Sequence, residues 1–252
     1  MTIKVYNENR LTRQPFFKML IDYLFSHEDV KLREIHRDFP DVANLDRQLD
    51  IFIAAGLVKR QEKRYMLALP VLSDDLLTDE KAAQATHNQY TQPFFVLKES
   101  TLAETLDYSY RFQSLANHTN AVILNFCSTY DRKSETLANY FYKVAEGLEL
   151  SELETEIYQL MGDVDIEYAL KYMTTFLLKF LKKEVVKNRS DIFVMVLEKY
   201  GVIEKISEQE YRCLLNFSQQ EIPEVTFETA EDFVLAQIQQ QNAIAPFISL
   251  GE

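Results

Sequence analysis

Only five glycines and six prolines punctuate 252 residues. Sheet-rich and loop-rich folds draw heavily on these two residues for their turns, so a chain this poor in them is expected to run long stretches between reversals. Along those stretches the apolar residues recur mainly at helical spacing. The chain is 47% apolar and 12% aromatic, enough to fill the cores of one large domain or of two to three small ones. The pattern predicts a mainly α protein with small β hairpins (α+β).

The first segment reads as three helices and a hairpin. From Pro15, well suited to a first helical turn, Phe16, Phe17, Leu20, Ile21 and Leu24 share one face of a helix that runs to about Ser26. Leu32, Ile35 and Phe39 mark a second, short helix stopped by Pro40. Asn44 then caps a third, with Leu45, Leu49, Phe52 and Ile53 on its core face and Gly56 as its exit. The stretch GLVKRQEKRYMLAL turns back on itself as a hairpin, with Tyr65, Leu67 and Leu69 on one side. That order is the order of a winged helix-turn-helix, so residues 1–75 are expected to form a winged-helix-like domain.

A second copy is expected in residues 163–252. There SDIFVMVLEKYGVIEKISEQEYRCLL offers Ser190 as a cap, Ile192, Phe193, Val196 and Leu197 as a core face, Gly201 as an exit and then a hairpin. Tyr211 follows Gly201 much as Tyr65 follows Gly56. A long helix from about Asp165 to Lys183 would open this copy. A last helix capped by Thr229 would precede a tail in which Ile244, Phe247, Ile248 and Leu250 dock on the body. The middle region, residues 76–162, reads as helical: one helix around Leu102 to Leu115, one opened by Ser134, and one opened by the capping box of Ser151 and Glu154. QPFFVL and AVILNF could form a short parallel β pair across the first of these. Weak boundaries fall near residues 73–91 and near Asp163. Tandem winged-helix-like modules joined by a helical middle region are therefore the expected architecture.

Nothing in the residue pattern identifies a reaction. His27, His36, His87 and His118 are scattered, and no phosphate loop, nucleophile elbow or HExxH occurs. Asp163, Asp165 and Glu167 lack the further ligands a calcium loop needs and read as helix-start acids. Cys127 and Cys213 have no metal-binding spacing and read as reduced thiols. The expectation is a non-enzyme with no catalytic, metal or cofactor residues. No apolar stretch escapes interruption by charge long enough to span a bilayer, which points to a cytoplasmic protein with no membrane partner.

Charge placement is more informative. The net charge is −12, yet residues 1–70 hold 12 Lys/Arg against 10 Asp/Glu, and no Lys or Arg follows Glu221. Such a field repels nucleic acid everywhere except from the N-terminal segment. In a winged helix the hairpin lies along the phosphate backbone, which nominates Lys59, Arg60, Lys63 and Arg64. Arg33 and Arg37 share a face of the second helix, and Arg47 is the one base on the outer face of the third. That face also carries Asp46 and Asp50, a poor reader of base edges. Lysine and arginine on an edge hairpin also deter unwanted sheet pairing, which alone would account for the hairpin bases.

YNENRLTRQPFFKMLIDYL and LDRQLDIFIAAGLVKRQEKRYML together resemble the opening of an uncharacterised bacterial family, a domain-of-unknown-function group. The resemblance covers the first 70 to 90 residues, with DVDIEYALKYMTTFLLKFLKK resembling a later stretch of full-length members. It implies a cytoplasmic bacterial protein and no particular activity. Two functional readings stay open. In one, the protein is a nucleic-acid-associated regulator that binds DNA through residues 1–70; in the other, it is an acidic adaptor whose two modules bind protein partners.

Overall fold

The computed structural model describes residues 2–77, 86–219, 221–240 and 243–251. Its first part runs β1 (Ile3–Tyr6), α1 (Pro15–His27), β2 (Val30–Lys31), α2 (Leu32–Asp38), α3 (Leu45–Ala54), β3 (Val58–Gln61), β4 (Arg64–Leu67) and β5 (Val71–Leu72). The middle continues through β6 (His87–Gln89), β7 (Phe94–Leu97), α4 (Thr101–Tyr108), β8 (Tyr110–Ala116), β9 (Val122–Thr129), α5 (Leu137–Glu146) and α6 (Glu152–Met161). The last part comprises α7 (Ile166–Leu177), β10 (Val185–Lys187), α8 (Ile192–Lys199), β11 (Ile203–Ser207), β12 (Glu210–Cys213), β13 (Asn216–Phe217), β14 (Glu224–Thr226), α9 (Ala230–Ile238) and β15 (Phe247–Leu250). The strands form five sheets, in the orders β1-β7-β5, β2-β4-β3, β13-β15-β9-β8, β10-β12-β11 and β14-β6.

This is a mixed α/β chain, with nine α-helices and 15 strands among the described residues. The expectation of a mainly helical protein is overturned, and the tandem winged-helix architecture drawn with it is not shown. One physical reason lies in the turns. Asn7, Glu28, Asn44, Glu62, Lys63 and Arg132 all adopt positive φ without being glycine. Glu62 (φ 51°) and Lys63 (φ 64°) alone reverse the chain between β3 and β4, in the geometry that usually calls for Asn-Gly. The chain therefore makes many reversals that its glycine count conceals.

The middle region departs most from expectation. The helix expected to reach Leu115 stops at Tyr108, and residues 110–116 pair instead with residues 123–129 along an antiparallel ladder from Tyr110↔Thr129 to Ala116↔Ile123. QPFFVL and AVILNF do become strands, but in different sheets, so no parallel pair forms between them. The helix expected to reach Lys183 ends at Leu177, and Val185–Lys187 joins a sheet. In the tail, Phe247 and Ile248 are buried and β15 pairs with β9, while Leu250 stays exposed. Part of the boundary expected near residues 73–91 lies outside the described residues.

Two compact units partition the chain, one of residues 1–80, 89–107 and 226–238, the other of residues 81–88, 108–225 and 239–252. In the first, α1 lays Phe16, Phe17, Leu20, Ile21 and Leu24 against Leu49 and Phe52 of α3 and Tyr65 of β4. In the second, Leu124, Phe126 and Ile248 of one sheet pack with Tyr140, Ile157, Met173, Leu197 and Tyr211. The helix–glycine–hairpin order does recur. Gly56 (φ 70°) follows α3 and Gly201 (φ 65°) ends the turn after α8, and a buried tyrosine sits on the central strand of each following three-stranded sheet.

Tyr211 is fully buried, its ring edge-on to Phe176 at 6.0 Å, and its hydroxyl has no hydrogen-bond partner among the described residues. An unmet buried hydroxyl costs about 1–3 kcal/mol. Tyr211→Phe should therefore raise the unfolding free energy by about 1 kcal/mol, read as a higher urea midpoint at unchanged slope. A loss of similar size would show that the hydroxyl is satisfied after all.

Candidate nucleic-acid interface

The β3–β4 hairpin takes its orientation from its apolar residues. Leu57 and Val58 are drawn into the core, and Tyr65 is 3% exposed. With that tyrosine fixed, the register Val58↔Leu67, Lys59↔Met66, Arg60↔Tyr65 and Gln61↔Arg64 sorts every side chain to one face or the other. Val58, Arg60, Tyr65 and Leu67 share the inner face; Lys59, Gln61, Arg64 and Met66 share the outer one. β2 then brings Lys31 opposite Arg64, next to the inward pair Val30↔Tyr65. The outer face of this sheet thus carries the row Lys31, Arg64, Gln61, with Lys59 one rung away.

The four hairpin bases singled out from the sequence therefore do not act alike. Lys59 and Arg64 lie on the outer face. Arg60 lies over the ring of Tyr65, its guanidinium carbon 5.5 Å from the centroid, and Lys63 stands at the tip of the turn. Arg64 is tied to Asp29 at 3.1 Å, but both groups are more than two-fifths exposed, and such a pair is worth about 0–1 kcal/mol. It can exchange for a phosphate at little cost. Lys31 belongs to the row and was not singled out, because a two-residue strand leaves no alternation to read.

The helical candidates are less available. Arg37 is spent on Asp38, at 2.7 and 2.9 Å, and the same carboxylate accepts the Tyr23 hydroxyl at 2.7 Å. The Arg37 guanidinium and then the Tyr23 hydroxyl hold the Asp38 carboxyl down at about 2. Arg33 and Arg47 are exposed, with no ion pair among the described residues. Arg47 still sits between Asp46, which is bonded to His36 at 2.7 Å, and Asp50. The structure groups Lys31, Lys59 and Arg64 on one sheet face and leaves Arg33, Arg37 and Arg47 on helices.

The second hairpin is electrically different. Lys187 pairs with Glu210 at 3.4 Å, and Arg212 with Glu204. Two of the three bases of this sheet are thus neutralised by their own strand neighbours, and only Lys205, opposite Tyr211, stands without an ion pair among the described residues, so there is no row like Lys31–Arg64.

A feature the sequence did not signal lies in the second unit, where β8, β9 and β15 floor an open cleft of about 1140 Å³. Ser114 donates to Asn125 Oδ1 at 2.9 Å, and Asn125 Nδ2 donates to Ser249 at 2.9 Å, so a small polar ladder runs across the floor. At its edge stand Phe112, Phe247 and His87, whose imidazole pKa is lowered by burial. No nucleophile hydrogen-bonds that imidazole among the described residues. Nor do three or more His, Cys, Asp or Glu side chains there gather as a metal site. Burial raises the pKa of both Cys127 and Cys213, the reverse of what a reactive thiol needs. Among the described residues no helix is long and apolar enough to cross a membrane.

Residues 3–109 match the model of a protein family described as Domain of unknown function (DUF1803). The N-terminal part of the chain is thus similar to an uncharacterised domain family, over a stretch longer than the one that carried the resemblance. No curated protein and no solved structure matches the chain.

Proposed function

We propose that the protein is a non-enzymatic, nucleic-acid-associated binding protein of the bacterial cytoplasm that grips the phosphate backbone with the outer face of β2, β4 and β3. The observation that supports this reading is the strand register, which sets Lys31, Arg64 and Lys59 on one face beside the Lys63 tip while the rest of the chain is strongly acidic. Cross-strand neighbours stand about 5 Å apart, a spacing at which several bases can meet successive phosphates. With an acidic outer face on α3, the contacts would position the duplex without reading its sequence.

Titration of the full chain against random-sequence duplex DNA at two salt concentrations tests this. Each phosphate contact removed should lower the slope of log affinity against log salt by about 0.9. Changing Lys31, Lys59, Lys63 and Arg64 together to glutamine should nearly abolish that slope, while Arg37→Gln should leave it intact. Absence of binding at low salt, or an unchanged slope in the fourfold variant, would overturn the proposal.

A protein-adaptor reading has one observation in its favour. Tyr168 and Tyr172 of α7 are 51% and 45% exposed, and Tyr172 stacks on Phe193 of α8 at 5.5 Å. Exposed aromatics of this kind are enriched in protein interfaces. A protein partner that binds the full chain, is lost on Tyr172→Ala and is kept by the Lys31, Lys59, Lys63 and Arg64 fourfold glutamine variant would favour that reading instead.

A further inference from the structure

Two arginines of the second unit lie near enough to repel one another, each resting on a tyrosine ring. Arg111 lies on β8 and Arg132 in the loop between β9 and α5; both are half-buried. The guanidinium carbon of Arg111 is 3.9 Å from the centre of the Tyr130 ring, and that of Arg132 is 3.5 Å from the centre of the Tyr142 ring. Aromatic faces hold guanidinium planes in place and leave their N–H edges pointing outward. Tyr130 itself is 6% exposed, so this floor is rigid.

The surroundings leave the charge unanswered. Neither arginine forms an ion pair among the described residues. Asp131, next in sequence, is already held by the Thr129 hydroxyl at 2.7 Å and by the Lys133 ammonium at 3.0 Å. Glu146 attracts Arg132 more weakly than Arg111 repels it. Burial first, and then that repulsion, pull the Arg132 guanidinium down to about 10. Arg111 hydrogen-bonds the Tyr130 hydroxyl, but its Nε is buried with no partner, and Arg132 Nη1 reaches Asn139 Oδ1 only at 3.5 Å. Arg132 also holds left-handed backbone (φ 56°), which its β-carbon disfavours, in order to turn back along α5. Native chains rarely bury an unmet donor beside a like charge.

We infer that Arg111 and Arg132 form a binding site for a phosphate dianion, free or carried by a small phosphomonoester. Two planar forks present more N–H donors than a carboxylate can accept, and a doubly charged oxyanion answers both guanidiniums at once. The Tyr130 and Tyr142 rings supply the walls. The inference is independent of the hairpin and stands or falls without it.

Calorimetric titration of the full chain with inorganic phosphate, and separately with phenyl phosphate, at constant ionic strength, tests the site. Saturable binding of one equivalent of either probe is expected, the tighter probe showing whether the ligand is free phosphate or an ester. Arg132→Gln and Arg111→Gln should each weaken it by about tenfold or more, while Lys59→Gln leaves it unchanged. If Arg111→Gln unfolds, Arg132→Lys carries the test, since it keeps the charge and loses the fork, and weaker binding is again expected. No saturable binding of either probe to the wild-type chain at millimolar concentration overturns the inference. So does binding that survives both changes at Arg132.

Discussion

Lys143→Met should destabilise the protein by about 3–5 kcal/mol, the loss expected when a buried ion pair is broken from one side. The carboxylate of Glu154 is fully buried, and Lys143 Nζ donates to its two oxygens at 2.8 and 2.7 Å. The same carboxylate accepts the Ser151 backbone N–H at 2.8 Å, completing the capping box that starts α6. Methionine fills the space of the lysine stem but leaves that carboxylate with a single N–H donor and no cation. Tyr140 and Tyr200 lie close by, and the Tyr200 hydroxyl, also buried, offers no relief because it too has no partner among the described residues. The double change Lys143→Met with Glu154→Leu should recover most of the loss, less about 1 kcal/mol for the vanished cap. Urea unfolding at constant slope measures both. A single variant within about 0.5 kcal/mol of wild type would show that the charge is not truly desolvated.

Phe17→Ala carries the second large effect, about 3–5 kcal/mol. Its ring is 0% exposed, meets Phe52 of α3 edge-on at 5.0 Å and lies 6.3 Å from Phe95 of β7, so one side chain ties a helix to another helix and to a sheet. Truncation removes the ring from all three at once, and a rigid aromatic cluster closes such a cavity poorly. Domains of this size hold about 5–15 kcal/mol in total, so the variant should sit close to its unfolding midpoint. Met19→Ala, two residues on but 49% exposed, should change stability by less than about 0.5 kcal/mol. Equal effects at the two positions would mean that α1 does not present this face to the core.

Where local chemistry decides the structure, the sequence was readable. Pro15 and the Phe16–Leu24 stripe mark α1, and the Ser151–Glu154 box marks the start of α6 to the residue. Reading failed where a distant partner decides. Leu102 and Leu106 lie one turn apart on a helical face expected to run on to Leu115, yet residues 110–116 pair with β9 instead, and tertiary pairing overrides the local pattern. At the site the same divide holds. The hairpin bases were visible as a cluster, but their division between two faces depends on register, and Lys31 joins them only through β4. Arg111 and Arg132 meet only because β8 and β9 fold back as a ladder; nothing in either neighbourhood marks them as a pair.

The first unit is discontinuous, and that has a consequence for how the chain is made. Phe233 of α9 packs on Tyr90 at 5.6 Å and on Phe94 at 5.9 Å, within a unit whose other residues end at 107. A polypeptide emerging from the ribosome therefore presents α1, α3 and their sheets long before the segment that covers Phe94 has been synthesised. Until then an aromatic face stays open on a half-built body, at the stage when neighbouring nascent chains are most concentrated. Most of the second unit, residues 108–225, must be translated in the interval. Closure of the first unit thus waits for α9, so this unit completes its fold only after the segment that interrupts it has been made.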